Sequence, residues 1–347
     1  MTTLKIVIPT AGWATRMRPQ TWSKPKPLVS VAGGTALDHL LEQFTSLPAG
    51  IDVEYVFILG PYLGELQIPP YVQEHFPNIK AHYVLQSVMK GQSDALWLAR
   101  QYLTGPLLIC FSDTLMETDF SFLAAETAGA VAWVKTVEDP TRFGVAHVDP
   151  HGWVTRLEEK PKSMDNKLVV IGCYYVQQGE EYLAAIQEQF QTTQPRNNEY
   201  FLTDAFNIML AHGLKMRTQT VEVWLDTGTI PATLETNRYL LSRLPAGGLD
   251  PEKLQAWKQA YVTILPPVFI HPTAELSHAT IGPYVSIAAG CKITNTHIQD
   301  SILESGVTVN SASLKGSFIG RQASIQGRSP GDPPLVLNIG DNSSVTL

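Results

Sequence analysis

The sequence predicts an α/β domain followed by a parallel β-helix. In the first half, short apolar segments of strand length alternate with amphipathic helical segments, which is typical of a parallel sheet covered by helices on both faces. The last third instead repeats every six residues, a period typical of a parallel β-helix. The chain has 347 residues, and this length favours two domains over one.

The composition is that of a folded, soluble protein. Hydrophobic residues make up 44% and charged residues 16% of the chain. The formal net charge of -7 argues against bulk binding to nucleic acid or to an anionic membrane, since both require a basic surface. Three cysteines without a C-x-x-C motif fit a reducing compartment. There is no secretory signal pattern and no spanning apolar run, so we expect a cytoplasmic protein.

The opening stretch is a candidate anion site. A strand-length apolar run leads into a loop of small residues around Gly12, which is followed by Arg16 and by Lys24 and Lys26 between prolines. Small residues let backbone amides approach phosphate oxygens, and the cations supply charge. The stretch matches neither the Walker P-loop nor the G-x-G-x-x-G dinucleotide motif. The alternative is a surface loop with solvated arginines.

Strands and helices alternate through the next hundred residues. The spacing predicts a helix that begins at Thr35, with Asp38 completing a capping box, and a second helix after Gly91 that Ser93 could cap. Because ligands of such sheets bind at the carboxyl ends of strands, we expect the intervening loops to share one edge. The predicted strands cover 52–59, 79–86 and 106–111, and the loops cover 10–27, 86–91 and 112–114.

Two aspartates follow predicted strands. Asp113 comes directly after the apolar strand, where a rigidly held carboxylate suits a hard cation such as Mg²⁺. The alternative is that Asp113 caps the next helix. Asp226 is a second acid at a strand end, within a segment that predicts a strand, a sharp turn and a capped helix over 221–229.

Longer β segments follow from Ala130 onward. Glu158-Glu-Lys-Pro-Lys162 lies between two of them, and its acids and lysines could bind the hydroxyl groups and the phosphate of a sugar. The alternative is a solvated turn. A later helix is predicted to have Thr203 as its cap. The β segments are predicted over 130–137, 143–149, 154–158 and 168–176.

The chain changes character after a Pro- and Gly-rich linker. The linker begins at Leu244 and is followed by a short helix over 252–260. Ile281, Ile287 and Ile293 then recur in one register, with weaker echoes up to Ile325. This period predicts a parallel β-helix, and the alternative is a β-sandwich with turn glycines.

These motifs together resemble the sugar-1-phosphate nucleotidylyltransferases that carry a C-terminal left-handed β-helix. Six segments occur in the order and at the spacings of that family, and the likeness covers essentially the whole chain. The segments are the small-residue loop ending in Thr15-Arg16 with Pro25-Lys-Pro-Leu28, Gln86 with Gly91–Ala95, Asp113, Phe143-Gly-Val145 with Glu158–Pro161, Ile171-Gly172 with Tyr174, and Trp224–Thr229.

The resemblance implies both the architecture and the domain limits. It implies a Rossmann-like three-layer α/β sandwich with a mixed, mostly parallel sheet, followed by a left-handed parallel β-helix. We therefore expect a catalytic domain over 1–243, a linker over 244–263 and a β-helix domain over 264–347 with an irregular tail from Gly327. The β-helix is expected to make the protein a homo-oligomer.

The resemblance also implies a reaction. A sugar 1-phosphate attacks the α-phosphorus of an NTP, and an NDP-sugar and pyrophosphate result. Mg²⁺ would be held by Asp113 and Asp226, while Arg16 and Lys26 neutralise the triphosphate. The remaining roles are also carried over from the family: nucleotide binding by Ala11, Gly12, Thr15, Arg16, Gln86 and Gly91, and sugar-phosphate binding by Gly144, Glu159, Lys160 and Gly172.

Some positions depart from the family pattern, and some questions stay open. Ala11 and Ala14 stand where glycine is usual, and alanine disfavours a positive φ. We favour glucose 1-phosphate with dTTP or UTP, with mannose-1-phosphate guanylyl transfer and glucose-1-phosphate adenylyl transfer as alternatives. Other classes are a non-catalytic nucleotide-sugar-binding subunit and an acyltransferase site on the β-helix that uses a histidine, namely His271, His278 or His297.

Overall fold

The computed structural model describes residues 3–244 and 251–347. The chain divides into two compact units. Unit 1 comprises the chain up to Trp13 and Leu40–Trp224, and unit 2 comprises Ala14–His39 and the chain from Leu225 onward. Part of the expected linker, 245–250, lies outside the described residues, and the three expected domain limits stay predictions. No helix within the described ranges is long and apolar enough to cross a membrane.

The described residues form seven α-helices and twenty-five strands, in addition to six short 3₁₀-helices. The helices are α1 (Ala36–Glu42), α2 (Leu63–His75), α3 (Gln92–Leu98), α4 (Gly179–Thr192), α5 (Leu202–Ala211), α6 (Ile230–Arg243) and α7 (Pro251–Gln259). The first thirteen strands are β1 (Leu4–Pro9), β2 (Ser30–Val31), β3 (Gly34–Thr35), β4 (Val53–Leu59), β5 (Lys80–Leu85), β6 (Leu107–Cys110), β7 (Thr114–Met116), β8 (Ala130–Thr136), β9 (Gly144–Val148), β10 (Val154–Glu159), β11 (Leu168–Val176), β12 (Met216–Thr220) and β13 (Trp224–Asp226).

Unit 1 is built on a mixed sheet of nine strands. Its main path runs β10-β9-β11-β6-β1-β4-β5, and β8 joins β12 to β11. Strands β6, β1, β4 and β5 are parallel, whereas β11 runs antiparallel to β6, β8 and β9. Every residue of β6 is buried, which explains its continuous apolar sequence. The expected α/β sheet of mixed direction is confirmed.

The predicted helix starts are right in two cases. At α1, the amide of Thr35 donates to Asp38 Oδ2 at 2.7 Å, and the amide of Asp38 donates to Thr35 Oγ1 at 3.2 Å. This reciprocal pair is the predicted capping box. At α6, Thr229 Oγ1 accepts a hydrogen bond from the amide of Ala232 at 3.3 Å.

The other two predicted caps are wrong. α3 already begins after Gly91, and α5 begins after Phe201. Ser93 and Thr203 therefore lie inside the first turns of these helices, where their hydroxyl groups are buried without a hydrogen-bond partner. The sequence favoured them because Ser and Thr are good caps, but the packing of each helix against the sheet starts it earlier.

The end of the chain is a parallel β-helix with three strand faces. Its strands are β14 (Thr263–Ile264), β15 (Val268–Ile270), β16 (Glu275–Ile281), β17 (Val285–Ile287), β18 (Lys292–Gln299), β19 (Ser301–Leu303), β20 (Thr308–Asn310), β21 (Ser313–Lys315), β22 (Phe318–Ile319), β23 (Ser324–Gln326), β24 (Asn338–Ile339) and β25 (Ser344–Thr346). Each strand pairs in parallel with the strand one coil away. The β-sandwich alternative is therefore wrong, because its sheets would contain antiparallel pairs.

The hexad isoleucines fill the interior of this β-helix. Ile281, Ile287 and Ile293 lie on three successive faces, and each is fully buried. Ile281 pairs with Ile298, and Ile287 pairs with Leu303, so a coil takes 17 or 16 residues rather than three full hexads. The corners between strands are therefore one or two residues shorter than a strict hexad repeat requires. This shortening explains why the repeat becomes weaker along the sequence.

The expected irregular tail contains the last coil. β24 pairs with β22, and β25 pairs with β23. Phe318 is aligned with Asn338, twenty positions later, because the chain between β23 and β24 is longer than in the other coils. This insertion shifts the hexad register, so the periodicity did not reveal these two strands.

Within unit 2, the β-helix shares a core with the segment Ala14–His39 and with α6. Met17 and Val29 of that segment pack with Leu234 of α6 and with Ile302 and Phe318 of the β-helix. A second cluster joins the segment and α6 to the β-helix through buried Val31, Ala32 and Leu241, with Phe269 and Tyr284 against them. The sequence had placed this segment and α6 with the catalytic domain alone.

Candidate active site

The loop after β1 begins in unit 1. The amide and the hydroxyl of Thr10 both donate to the carbonyl oxygen of Ile58, each at 2.8 Å, which extends the β1–β4 pairing past the strand. Ala11 is buried and Gly12 is exposed. A Cβ at Gly60 would lie 2.7 Å from the carbonyl oxygen of Ala11. The end of β4 therefore needs glycine where the loop crosses it.

Gln86 follows β5 and is held by the start of α3. It is 3% exposed, and its Nε2 donates to the carbonyl oxygen of Gly91 at 3.1 Å and to Asp94 Oδ2 at 2.9 Å. A Cβ at Gly91 would lie 2.4 Å from the carbonyl oxygen of Tyr200. The structure thus brings together Gln86 and Gly91, two of the predicted nucleotide-binding residues. Asp94, which orients the amide, was not singled out by the sequence.

Asp113 lies on a turn between β6 and β7 and does not cap a helix. The turn is fixed to β11, because the amide of Phe111 donates to the carbonyl oxygen of Gly172 at 2.9 Å and Thr114 Oγ1 donates to that of Ile171 at 2.8 Å. At Gly172, where φ is +82°, a Cβ would lie 2.7 Å from Phe111. The half-buried Asp113 is therefore held close to the predicted sugar-binding strand.

Glu159 and Gly144 meet at the end of the β9–β10 pair. A Cβ at Gly144 would lie 3.2 Å from Glu159 Oε2. Burial raises the pKa of the Glu159 carboxyl above its ordinary value of 4.5, while the charges of Lys160 and Arg196 act in the opposite direction. A carboxylate that is partly removed from water is stabilised when it accepts hydrogen bonds from hydroxyl groups. The partial burial of Glu159 therefore fits a sugar-binding role better than it fits the alternative of a solvated turn.

Arg196 is a functional candidate that the sequence reasoning missed. The Lys160 ammonium lies 5.3 Å and the Arg196 guanidinium carbon 4.9 Å from the ring centroid of Phe201. Arg196 Nη2 also lies 2.8 Å from both carboxylate oxygens of Asp204. The ring thus holds a lysine and an arginine near each other, and both side chains can form charge-assisted hydrogen bonds with a phosphate group. The available signal was an arginine shortly before the helix that was predicted to have Thr203 as its cap.

In unit 2, Thr15 and Arg16 lie in a single turn of 3₁₀-helix, and both are exposed. Ala14 precedes the turn with φ 46° and ψ 44°, the left-handed conformation that usually favours glycine. The amide of Met17 donates to the carbonyl oxygen of Ala14 at 2.9 Å, and Thr21 Oγ1 donates to the same oxygen at 2.9 Å. These bonds hold an alanine in the backbone conformation of the glycine that is usual there.

Lys26 and Asp226 converge on Gly228 in unit 2. A Cβ at Gly228 would lie 2.7 Å from Asp226 Oδ1 and 3.2 Å from Lys26 Nζ. The amide of Gly228 donates to Asp226 Oδ1 at 2.7 Å, and Thr236 Oγ1 donates to the carbonyl oxygen of Asp226 at 2.9 Å. The structure therefore brings two of the predicted catalytic residues together, and glycine leaves room for both.

The carboxylates of Asp113, in unit 1, and of Asp226, in unit 2, have the chemistry that Mg²⁺ prefers. In residues 3–244 and 251–347, no group of three or more His, Cys, Asp and Glu side chains could hold a metal ion. Mg²⁺ in nucleotide enzymes usually takes one or two carboxylates and completes its shell with phosphates and water. Asp113 and Asp226 offer such hard oxygen ligands.

The three β-helix histidines lie at the surface. His271 Nδ1 lies 2.9 Å from Thr273 Oγ1, and His278 stacks on Tyr261 with ring centroids 5.1 Å apart. His278 and His297 are exposed. An acyltransferase site at these histidines stays untested.

Known proteins are similar to this chain over most or all of its length. Residues 5–243 match the sequence profile of the family described as Nucleotidyl transferase. The chain is 29% identical to a glucose-1-phosphate thymidylyltransferase of Streptomyces antibioticus, with 99% of each chain covered. It is 26% identical to the low-salt glycan biosynthesis nucleotidyltransferase Agl11 of Haloferax volcanii, with 99% of this chain and all of that protein covered.

Solved structures share the fold. A putative glucose-1-phosphate thymidylyltransferase from Bacillus anthracis superposes with a TM-score of 0.58 at 20% identity, covering 71% of this chain and 98% of that one. A UDP-glucose pyrophosphorylase in complex with UDP-glucose superposes with the same TM-score at 19% identity, covering 70% of this chain and all of that one.

Proposed function

Because the chain belongs to the nucleotidyl transferase family, we propose that it transfers a nucleotidyl group from an NTP to a sugar 1-phosphate. The products are an NDP-sugar and pyrophosphate. The observation that carries the proposal is the convergence of Lys26 and Asp226 on Gly228. A cation and a metal-binding carboxylate at one point are what transfer at a phosphorus atom requires, because the reaction proceeds mostly by positioning and charge stabilisation.

Unit 2 supplies the charges for the triphosphate. Arg16 is exposed and offers forked donors to the β- and γ-phosphates. Lys26 binds the α-phosphate, whose negative charge must be stabilised as the sugar phosphate attacks. Asp226 of this unit and Asp113 of unit 1 would hold Mg²⁺, which would lower the repulsion between nucleophile and α-phosphate. No covalent intermediate is required.

Unit 1 supplies the sugar side and the base side. Lys160 and Arg196, both over Phe201, bind the phosphate of the sugar 1-phosphate. Glu159, beside Gly144, accepts hydroxyl groups of the sugar, and the backbone at Gly172 completes that subsite. On the base side, the proposed contacts from unit 1 are Ala11, Gly12, Gln86 and Gly91, and Thr15 is the proposed contact from unit 2. The Gln86 amide, fixed by Asp94 and Gly91, is oriented before a base arrives.

Glucose 1-phosphate with dTTP or UTP is the proposed substrate pair. Relatives with glucose-1-phosphate thymidylyltransferase and UTP--glucose-1-phosphate uridylyltransferase in their names support this choice. A soluble, cytoplasmic homo-oligomer remains the expected form of the protein.

A substrate matrix tests the proposal. Each of dTTP, UTP, ATP, CTP and GTP is incubated with glucose 1-phosphate, mannose 1-phosphate or N-acetylglucosamine 1-phosphate plus Mg²⁺, and released pyrophosphate is measured. We expect the fastest release with a pyrimidine triphosphate and glucose 1-phosphate, and loss of release with excess chelator. Absence of pyrophosphate with every pair would contradict the proposal. Binding of an NDP-sugar without any turnover would instead favour the non-catalytic subunit.

A further inference from the structure

A buried ion pair links the Lys24–Pro27 segment to the β-helix within unit 2. Lys24 Nζ contacts Glu304 Oε2, and the two side chains are only 5% and 1% exposed. Ser30 Oγ donates to the other oxygen of Glu304 at 2.9 Å. Lys24 and Ser30 are thus both fixed to the carboxylate of Glu304, and Lys26 lies between them in sequence.

A second carboxylate of the β-helix extends this cluster. Asp341 Oδ1 lies 3.9 Å from Lys24 Nζ, and Asp341 Oδ2 accepts hydrogen bonds from Ser23 Oγ at 2.7 Å and from Arg321 Nε at 2.8 Å. Burial alone would raise the pKa of Asp341, but the hydrogen bonds from Ser23 and Arg321 and the nearby Lys24 charge hold it below its usual value. The buried ammonium therefore faces two carboxylates of the β-helix.

Gln20 adds a backbone connection at the same place. Its Nε2 lies 3.1 Å from the carbonyl oxygen of Phe318 and 2.9 Å from that of Ile339, and Gln20 is fully buried. These two acceptors belong to neighbouring coils of the β-helix. The loop that carries Arg16 and Lys26 is therefore hydrogen-bonded to two neighbouring coils of the β-helix.

The helix behind Asp226 is anchored to the same β-helix. Asn237 of α6 is fully buried, and its Oδ1 accepts hydrogen bonds from Ser286 Oγ at 2.7 Å and from the amide of Ala32 at 2.9 Å. One residue later, Arg238 forms a two-pronged ion pair with Asp300. Asp226 Oδ1 and Lys26 Nζ, which meet at Gly228, thus lie on two segments that are separately attached to the β-helix.

We propose that the β-helix is a positioning element of the transferase site, and that Lys24 and Glu304 are the residues through which it fixes Lys26. This inference depends on the proposed function only in naming the reaction that the positioned residues carry out. A buried ion pair is a poor source of net stability, because desolvation of both charges offsets their attraction. Its physical effect is to select one arrangement, since any shift of the segment would leave a buried charge unpaired.

The test separates positioning from stability. Glu304→Gln keeps the oxygen that accepts from Ser30 but leaves Lys24 without its main counter-charge, so this variant should lose stability. The double variant Lys24→Met/Glu304→Gln removes both charges at similar volume and should recover most of that loss. The matched control is Lys292→Met/Glu275→Gln, which removes an exposed ion pair of the same β-helix at 3.8 Å.

Two measurements are made on the full chain. Steady-state kinetics give kcat and KM, and hydrogen–deuterium exchange gives the protection of the peptide that covers residues 20–31. We expect the double variant to unfold near the wild-type temperature, yet to show kcat lowered by roughly tenfold or more, because a displacement of about 1 Å can cost about a hundredfold in rate. We also expect about tenfold faster exchange in that peptide and unchanged exchange in the β-helix strands.

The outcomes are distinguishable from failure of the proposed reaction. If exchange in 20–31 is unchanged in the double variant, the positioning inference is overturned whether or not the wild type is active. If both activity and exchange return to wild-type values once stability is restored, the pair is merely structural and the inference is likewise overturned. If the wild type is inactive but exchange rises only in that peptide, the positioning of Lys26 stands and the assigned reaction is wrong.

Discussion

The side chains of Lys160 and Arg196 lie over the same phenyl ring, that of Phe201, at 5.3 and 4.9 Å from its centroid. Arg196 is held there by Asp204, with Nη2 at 2.8 Å from both carboxylate oxygens. Phe201 is buried and limits the positions that both cations can occupy. If the pair binds the sugar phosphate as proposed, its two cations are already near each other before substrate arrives.

Replacement of Arg196 should weaken binding of the sugar phosphate. We expect Arg196→Ala to raise KM for the sugar 1-phosphate by about tenfold or more, because a charge-assisted hydrogen bond contributes about 1.5–3 kcal/mol. KM for the NTP should change little. Arg156→Ala, at an arginine whose side chain is 62% exposed, is the matched control and should behave as wild type. Equal effects on both KM values would contradict the assignment.

Loss of the Lys26 charge should slow the chemical step. We expect Lys26→Ala to lower kcat by at least about tenfold, because each 1.36 kcal/mol of transition-state stabilisation is a factor of about ten in rate. Steady-state kinetics and a thermal unfolding curve check both parts of the expectation. Lys315→Ala, at an exposed lysine of the β-helix, is the control. A variant that is inactive only because it is unfolded would not support the role of Lys26.

An added methyl group at Gly228 should disturb two catalytic side chains together. The new Cβ would lie 2.7 Å from Asp226 Oδ1 and 3.2 Å from Lys26 Nζ, so both side chains must move. We expect Gly228→Ala to lower kcat by roughly tenfold or more and to raise the Mg²⁺ concentration at half-maximal rate. Gly331→Ala is the control, because its nearest neighbour would be 3.5 Å away. Wild-type kinetics for Gly228→Ala would place the chemistry elsewhere.

Ionisation of Glu159 should make stability depend on pH in a defined direction. Its pKa in the folded chain is raised, chiefly by burial. As pH rises from about 4.5, this carboxyl loses its proton in the unfolded chain before it does so in the folded chain. The free energy of unfolding therefore falls as the pH rises, and it stops falling once the pH has passed the raised pKa. Glu159→Gln removes the effect. Urea unfolding at a series of pH values should therefore show that the stability of the variant increases relative to that of wild type across this pH range.

A carboxyl with the opposite shift provides the control for that series. Burial would raise the pKa of Glu126, but hydrogen bonds from Arg217 and from the amide of Ala128 hold it below its usual value. The ionised form is stabilised in the folded chain, so wild type gains stability as pH rises toward the unfolded pKa. The stability of Glu126→Gln should therefore fall relative to that of wild type over this pH range. The same trend in both variants would contradict the Glu159 assignment.

Most of the strands and helices were predictable from local patterns. β6 is apolar throughout because it is buried on both faces, and Ile281, Ile287 and Ile293 recur because each points into the β-helix. The caps at Ser93 and Thr203 failed since helix starts depend on tertiary packing as well as on the local residue. Strands β24 and β25 were missed because a longer connection shifts the repeat.

The site was predictable to the extent that it follows strand ends. Gln86 directly follows β5 and Asp113 lies on the turn after β6, as the strand pattern predicted, whereas Glu159, expected between two strands, is the last residue of β10. Arg196 and Asp94 escaped because their partners, Phe201 and Gln86, are brought to them by folding and not by a short motif. No spacing in the sequence connects them.

The sequence by itself determined the family, the α/β sheet and the repeating coils, because these depend on periodic burial and on short motifs. Only the tertiary structure decided that Lys24 pairs with Glu304, 280 positions later, and that Asn237 contacts Ser286. Such pairs arise because a buried charge or amide must find a partner wherever the folded chain brings one. The β-helix, which the sequence separated from the transferase domain, thereby holds the segments that carry Lys26 and Asp226.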